Sequence, residues 1–194
     1  MKKYIFLIAM CFLCGTSAYC QKIISNQTQN GIQRLVAGVY KFELEDELLL
    51  GLDFFSDGVD KEFYIEGASE NLKLHNFPDE AKLLFKTMDG STIELTSCYT
   101  DISKSELSRA PWAMYPITEQ QLQSLFNGIA KLRVEMLSYN KKDDTIFKDF
   151  QDVEYKKDKL GKEFKKMYDL LVAERKKYDA QNANLLNKDA SADF

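Results

Sequence analysis

Hydrophobic and polar positions alternate most clearly along Lys82–Tyr99, KLLFKTMDGSTIELTSCY. Two apolar runs meet at Asp89-Gly90, a pair that tolerates the positive φ of a type I′ hairpin turn. On the second arm Ile93, Leu95, Ser97 and Tyr99 share one face, and Glu94, Thr96 and Cys98 share the other. That is the period-two pattern of a half-buried strand, and the hairpin is expected at the centre of an antiparallel sheet. Upstream, Arg34–Leu44 reads as a strand carrying Val39, Tyr40 and Phe42, and Leu48–Phe55 (LLLGLDFF) as a strand buried on both faces. Lys61–Gly67 adds a strand with Phe63 and Ile65 on one face. Asn71–Phe77 adds another, its Leu72 and Leu74 alternating with Lys73 and His75, before Phe77-Pro78-Asp79 breaks the chain.

Downstream, Asp101–Met114 reads as a polar connection holding the single Trp112. Thr118 with Gln121 forms a capping box for a short helix, Thr118 to Asn127, whose buried stripe is Leu122, Leu125 and Phe126 and whose stop is Gly128. Then Leu132, Val134 and Met136 alternate with Lys131, Arg133 and Glu135, a further strand. From Tyr155 to Tyr178 the period becomes helical, with Leu160, Phe164, Met167, Tyr168 and Leu171 on one stripe. The expected class is therefore α+β: an antiparallel β-sheet or sandwich with one short helix and a long amphipathic C-terminal helix. Residues 34–179 are expected as a single domain, between a flexible lead-in over 21–33 and a flexible tail over 180–194.

The first twenty residues change where the chain is expected to work. Lys2 and Lys3 precede an apolar run from Tyr4 to Leu13 and small residues at Gly15–Ala18, the pattern of a secretory signal peptide over 1–20. Cleavage after Cys20 or after Ala18 fits. Acylation of Cys20 is disfavoured because Tyr19 stands where a lipobox wants a small residue. Cys11 and Cys14 fall inside the signal, so their spacing is no metal or redox motif, and Cys98 is left alone or paired with Cys20. With Lys2 and Lys3 removed, 24 basic residues face 30 acidic ones, a net −6. That balance argues against nucleic acid or an anionic membrane surface as partner. No later stretch is apolar enough to span a bilayer. Charge is also polarised: residues 21–80 carry −7, and the C-terminal helix about +5, which reads as a solvated helix face over an acidic sheet.

Several chemistries lack their parts. His75 is the only histidine, which removes two-histidine zinc sites and handicaps a serine triad. No phosphate-cradling glycine loop and no G-x-S-x-G elbow exists, so no cofactor is expected. Carboxylate hydrolysis stays open, with Glu45, Glu47, Asp53, Glu62 and Glu66 as candidates. Asp53, Asp57 and Asp60 around Gly58 miss the calcium-loop spacing and read as an ordinary Asp-Gly turn, so no metal site is expected. Asn26-Gln27-Thr28 is a glycosylation triplet only in a eukaryotic secretory route.

The signal segment ending near Cys20-Gln21, the run LLFKTMDGSTIEL and the run YPITEQQLQSLFNGIAKLRVEM resemble exported proteins of Bacteroides-type bacteria that have no assigned activity. The resemblance covers Leu83 to Leu171. It implies a periplasmic or surface location in a Gram-negative organism and carries no catalytic residue. In that setting Asp144-Thr145-Ile146 makes Thr145 a candidate O-glycosylation site. The expectation for function is a non-enzymatic extracytoplasmic protein that binds a protein or glycan, with exposed Trp112 and Tyr115 as contact residues. A small carboxylate-dependent glycan hydrolase and an envelope structural subunit are the alternatives.

Overall fold

A computed structural model describes residues 22–41, 48–69, 75–101, 111–140, 142–155 and 157–192. Their strands build two antiparallel sheets. Strands β1 (Lys22–Gln29), β2 (Ile32–Lys41), β3 (Leu48–Ser56), β4 (Lys61–Ser69), β8 (Tyr99–Asp101) and β9 (Trp112–Ile117) form a six-stranded sheet in the order β1-β2-β3-β4-β9-β8. The second sheet runs β11-β10-β6-β7, from β6 (Lys82–Thr87), β7 (Thr92–Thr96), β10 (Ile129–Asn140) and β11 (Thr145–Glu154). The short β5 (His75–Asn76) pairs with β10 beside β6. Helix α1 (Glu119–Phe126) links β9 to β10, and α2 (Leu160–Ala192) follows β11.

One buried cluster holds the inward side chains of both sheets. Leu35, Leu50, Leu52, Ile65 and Tyr115 come from the first sheet, and Leu83, Phe85, Leu132 and Val134 from the second. Leu122 and Leu125 of α1 and the stripe Leu160, Phe164, Met167 and Leu171 of α2 complete it. The rings of Phe85 and Phe164 meet edge to face at 5.8 Å, tying α2 to the second sheet. At the far end Arg175 donates to the Ser56 carbonyl and to Gln33, each at 3.3 Å, tying α2 to the first. The capping box of α1 forms, with Thr118 Oγ1 accepting from the Gln121 N–H and Gln121 Oε1 from the Thr118 N–H. Gly128 ends that turn at φ +119.

Several expectations need correction. The lead-in over residues 22–29 is strand β1. It joins β2 through Asn30-Gly31, both at positive φ (52° and 80°), a type I′ turn. The β6–β7 hairpin lies at a sheet end, with β7 as an edge, because the six-stranded sheet claims the chain after Thr96. There the Ser97 N–H still bonds the Ala81 carbonyl in one sheet, while the Cys98 N–H bonds Met114 in the other. Only Gly90 of its turn takes positive φ, and its N–H returns to Thr87, so the loop is built on a type I turn. The end of the expected connection, from Trp112, belongs to the strand Trp112–Ile117, which lies between β4 and β8. Helix α2 starts at Leu160 rather than Tyr155 and runs beyond residue 179 to Ala192.

Candidate binding surface and buried carboxylates

The β10–β11 hairpin is the longest among the described residues, because Ile129–Asn140 and Thr145–Glu154 stay paired from Lys131↔Glu154 to Asn140↔Thr145. Ion pairs on its outer face fix that register. Asp152 accepts from Arg133 through both carboxylate oxygens, at 2.6 and 2.8 Å, and from Lys131 at 2.7 Å. Those hydrogen bonds, Arg133's first, hold the Asp152 carboxyl well below the usual range, and they raise Lys131 and Arg133. Lys148 reaches Glu135 at 3.0 Å, and the Arg133 guanidinium lies 5.6 Å from the Phe150 ring centre.

Beyond this polar frame the hairpin carries large apolar side chains into solvent. Ile146 is 69% exposed, Phe150 50%, Phe147 47% and Tyr139 39%. Ile146 and Phe150 project on the same face as Tyr139, and Phe147 projects on the other. Among the described residues β11 pairs on one side only, so its outer edge is a row of main-chain groups flanked by these side chains. Thr145 opens the strand, exposed, its hydroxyl donating to Asp143 at 2.7 Å. The Tyr139 hydroxyl bonds Asp144, which sits at φ +57.

The acidic candidates part company. Asp53 and Glu66 occupy the outer face of the six-stranded sheet and are both fully buried. Arg34 donates to Asp53 at 2.7 Å and stands 3.6 Å from Glu66, so one guanidinium spans both carboxylates. Glu62 accepts from the Tyr64 hydroxyl at 2.8 Å. It opens on a cleft of about 420 Å³ whose lining also includes Tyr64, Pro116, Glu119 and Gln121. Across it Glu119 accepts from Tyr168. Burial first, and then these carboxylates, push Tyr64 and Tyr168 up to about 12. Glu119 went unmarked in the sequence, although an acid in the first turn of a capped helix is a readable signal. Glu45 and Glu47 lie outside the described residues.

Tyr115 is not an exposed contact. It points into the core from β9 with no accessible surface, and burial drives its hydroxyl far above the usual range. Trp112, on the opposite face of β9, is partly exposed and packs on Tyr99 at 5.3 Å between ring centres. Cys98 is an exposed free thiol among the described residues, raised by partial burial. The Asp57 carboxylate accepts from the Val59 and Asp60 N–H groups, closing the turn and lowering its own pKa. Within the described residues no cluster of His, Cys, Asp and Glu could hold a metal ion, and no helix is long and apolar enough to cross a membrane.

No protein-family model, curated protein or solved structure matches the chain.

Proposed function

We propose that this chain is a non-enzymatic, extracytoplasmic protein that acts by contact with a protein partner, through the β10–β11 hairpin. The observation that carries the reading is the exposed Ile146, Phe147 and Phe150 on the one-sided edge strand β11, with Tyr139 beside Ile146 on β10. Such an edge offers main-chain hydrogen bonds to an added strand, and the alternating side chains supply selectivity. The extracytoplasmic location rests on the signal-peptide pattern of residues 1–20. The burial of Asp53 and Glu66 beneath Arg34 supports the same reading, since carboxylates so placed do not reach a substrate.

The test is capture from a native envelope extract by the purified chain, with mass-spectrometric identification, repeated with Phe147→Ser plus Phe150→Ser. A protein captured by the wild type and lost with the double variant is the expected result. Equal capture by both would refute the hairpin as the contact surface.

The cleft keeps a second reading in play, because Glu62 and Glu119 line one opening. Two carboxylates in an open cleft are the minimum for glycoside hydrolysis. Turnover of a glycan by the purified chain, abolished by Glu62→Gln or Glu119→Gln, would favour the hydrolase over the contact protein.

A further inference from the structure

We infer that the strand added to β11 is β11 of a second copy of this chain, paired antiparallel about a two-fold axis at Phe150. This rests on the reading of the hairpin edge as a contact surface and names its occupant. Along this edge Ile146, Phe147 and Phe150 stand in solvent and Lys148 is 60% exposed at its side chain, while the Phe150 N–H donates to the Asp149 carboxylate at 2.8 Å and must exchange that bond to pair.

Symmetry then restricts the register. A two-fold perpendicular to the sheet keeps every side chain on its own face, so directly opposed residues must both be odd or both even. Placing Asp149 opposite its own copy confronts two carboxylates and sets Lys148 against Phe150. Placing Gln151 there sets Phe150 against Asp152 and Asp149 against Val153. Placing Lys148 or Asp152 on the axis opposes like charges.

The register centred on Phe150 matches the central residues and leaves its one mismatch, Ile146 against Glu154, at the strand ends. Phe150 meets Phe150, Lys148 meets Asp152, Phe147 meets Val153 and Asp149 meets Gln151, and the axis makes each of the last three pairs twice. On one face the Lys148–Asp152 pairs would flank a central aromatic pair that Arg133 already backs at 5.6 Å. On the other, Phe147 would cover Val153, which is partly buried against the core. Asp152 meets the incoming Lys148 already oriented by Arg133 and Lys131. The two five-stranded sheets become continuous across the axis, and Phe150, Phe147 and Val153 are covered, while Ile146 comes to lie opposite Glu154.

Reciprocal charge reversal tests this on the full-length mature chain, read by sedimentation equilibrium or native mass measurement. The wild type is expected to dimerise. Lys148→Asp alone opposes two carboxylates twice per dimer, and Asp152→Lys alone opposes two ammonium groups twice. Each is expected to raise the dimer Kd at least about tenfold. Mixing the two single variants restores both opposite-charge pairs, so a heterodimer should form. The double variant Lys148→Asp plus Asp152→Lys should again dimerise with itself. That rescue keeps the test clear of misfolding, because the double variant carries both internal lesions, at Glu135 and at Arg133. A wild type that stays monomeric at its highest soluble concentration would overturn the self-pairing, as would single variants that dimerise as tightly as the wild type, or a mixture that forms no heterodimer. A monomeric wild type whose capture of another protein still depends on Phe147 and Phe150 would overturn the self-pairing alone and leave the contact reading standing.

Discussion

Gly161, in the first turn of α2, lies tight against the C-terminal end of α1, and Gly161→Ala sets two known effects against each other. Helix propensity alone favours alanine by about 1 kcal/mol. The packing opposes it: a Cβ at this position would lie 2.4 Å from the Leu125 backbone carbonyl oxygen, 2.7 Å from Asp158 Oδ1 and 3.3 Å from the Gly128 Cα. Side chains in folded proteins essentially never approach below 3.0 Å, and a backbone carbonyl cannot rotate aside as a flexible side chain would. Relief requires the start of α2 to move off the end of α1, an overpacking cost of roughly 1–3 kcal/mol. The same movement pulls Asp158 from the Gly161 N–H it accepts at 3.1 Å, a capping loss of about 1 kcal/mol. The clash and the lost cap outweigh propensity, and the variant should be less stable by about 1–3 kcal/mol. With a urea slope of about 2 kcal/mol per molar for a domain of this size, the unfolding midpoint should fall by roughly 0.5–1.5 M at unchanged slope. An unchanged or raised midpoint would refute the close approach of α1 and α2.

Other consequences follow from the charged and aromatic groups. Asp152 is held low by Arg133 and Lys131, so the stability it lends is present above the unfolded carboxylate value of about 4 and is lost as pH falls through its lower folded value. Asp152→Asn should therefore flatten the acid limb of an unfolding-midpoint-versus-pH curve and lower its neutral plateau. Tyr64 and Tyr168 sit at about 12, so their share of stability is complete below the unfolded tyrosine value of about 10 and fades as pH rises through 12. Ultraviolet titration should show a late tyrosinate step that shrinks in Tyr64→Phe and again in Tyr168→Phe. Arg34→Met leaves Asp53 and Glu66 buried without the guanidinium that spans them, at a cost of about 3–5 kcal/mol. Adding Asp53→Asn and Glu66→Gln should recover a large part of the loss in the same denaturation assay.

Elements whose apolar positions face one core could be read directly from the chain. Leu132, Val134 and Met136 point inward from β10, the α2 stripe from Leu160 to Leu171 is buried, and Leu48–Ser56 is enclosed on both faces. Segments that depend on their neighbours were hidden. KIISNQTQ has almost no alternation, and β1 exists because the Asn30-Gly31 turn folds it onto β2, a dipeptide signal that stood in plain sight. Trp112–Ile117 was masked by Pro116, which a central strand rarely tolerates. That proline lies past the end of β8, whose pairing stops at Met114, so its missing N–H leaves no gap in that ladder. In β11 the apolar residues fall on both faces, Ile146 and Phe150 on one and Phe147 on the other, which erases any period-two pattern. The same two-faced exposure that concealed the strand is the feature on which the proposed contact surface rests. The Arg34–Asp53–Glu66 group was also out of reach, because only the register of β2, β3 and β4 brings the three side chains together.

Amide hydrogen exchange along Ile146–Glu154, followed from dilute to concentrated solutions of the wild-type chain, reads the β11 edge most directly. Alternate amides of this strand already bond β10, and the others point outward. The outward set should gain protection as concentration rises, and Lys148→Asp should abolish that gain without slowing or hastening exchange in β3 or β4. Outward amides that exchange at one rate across the whole concentration range would contradict self-pairing at this edge.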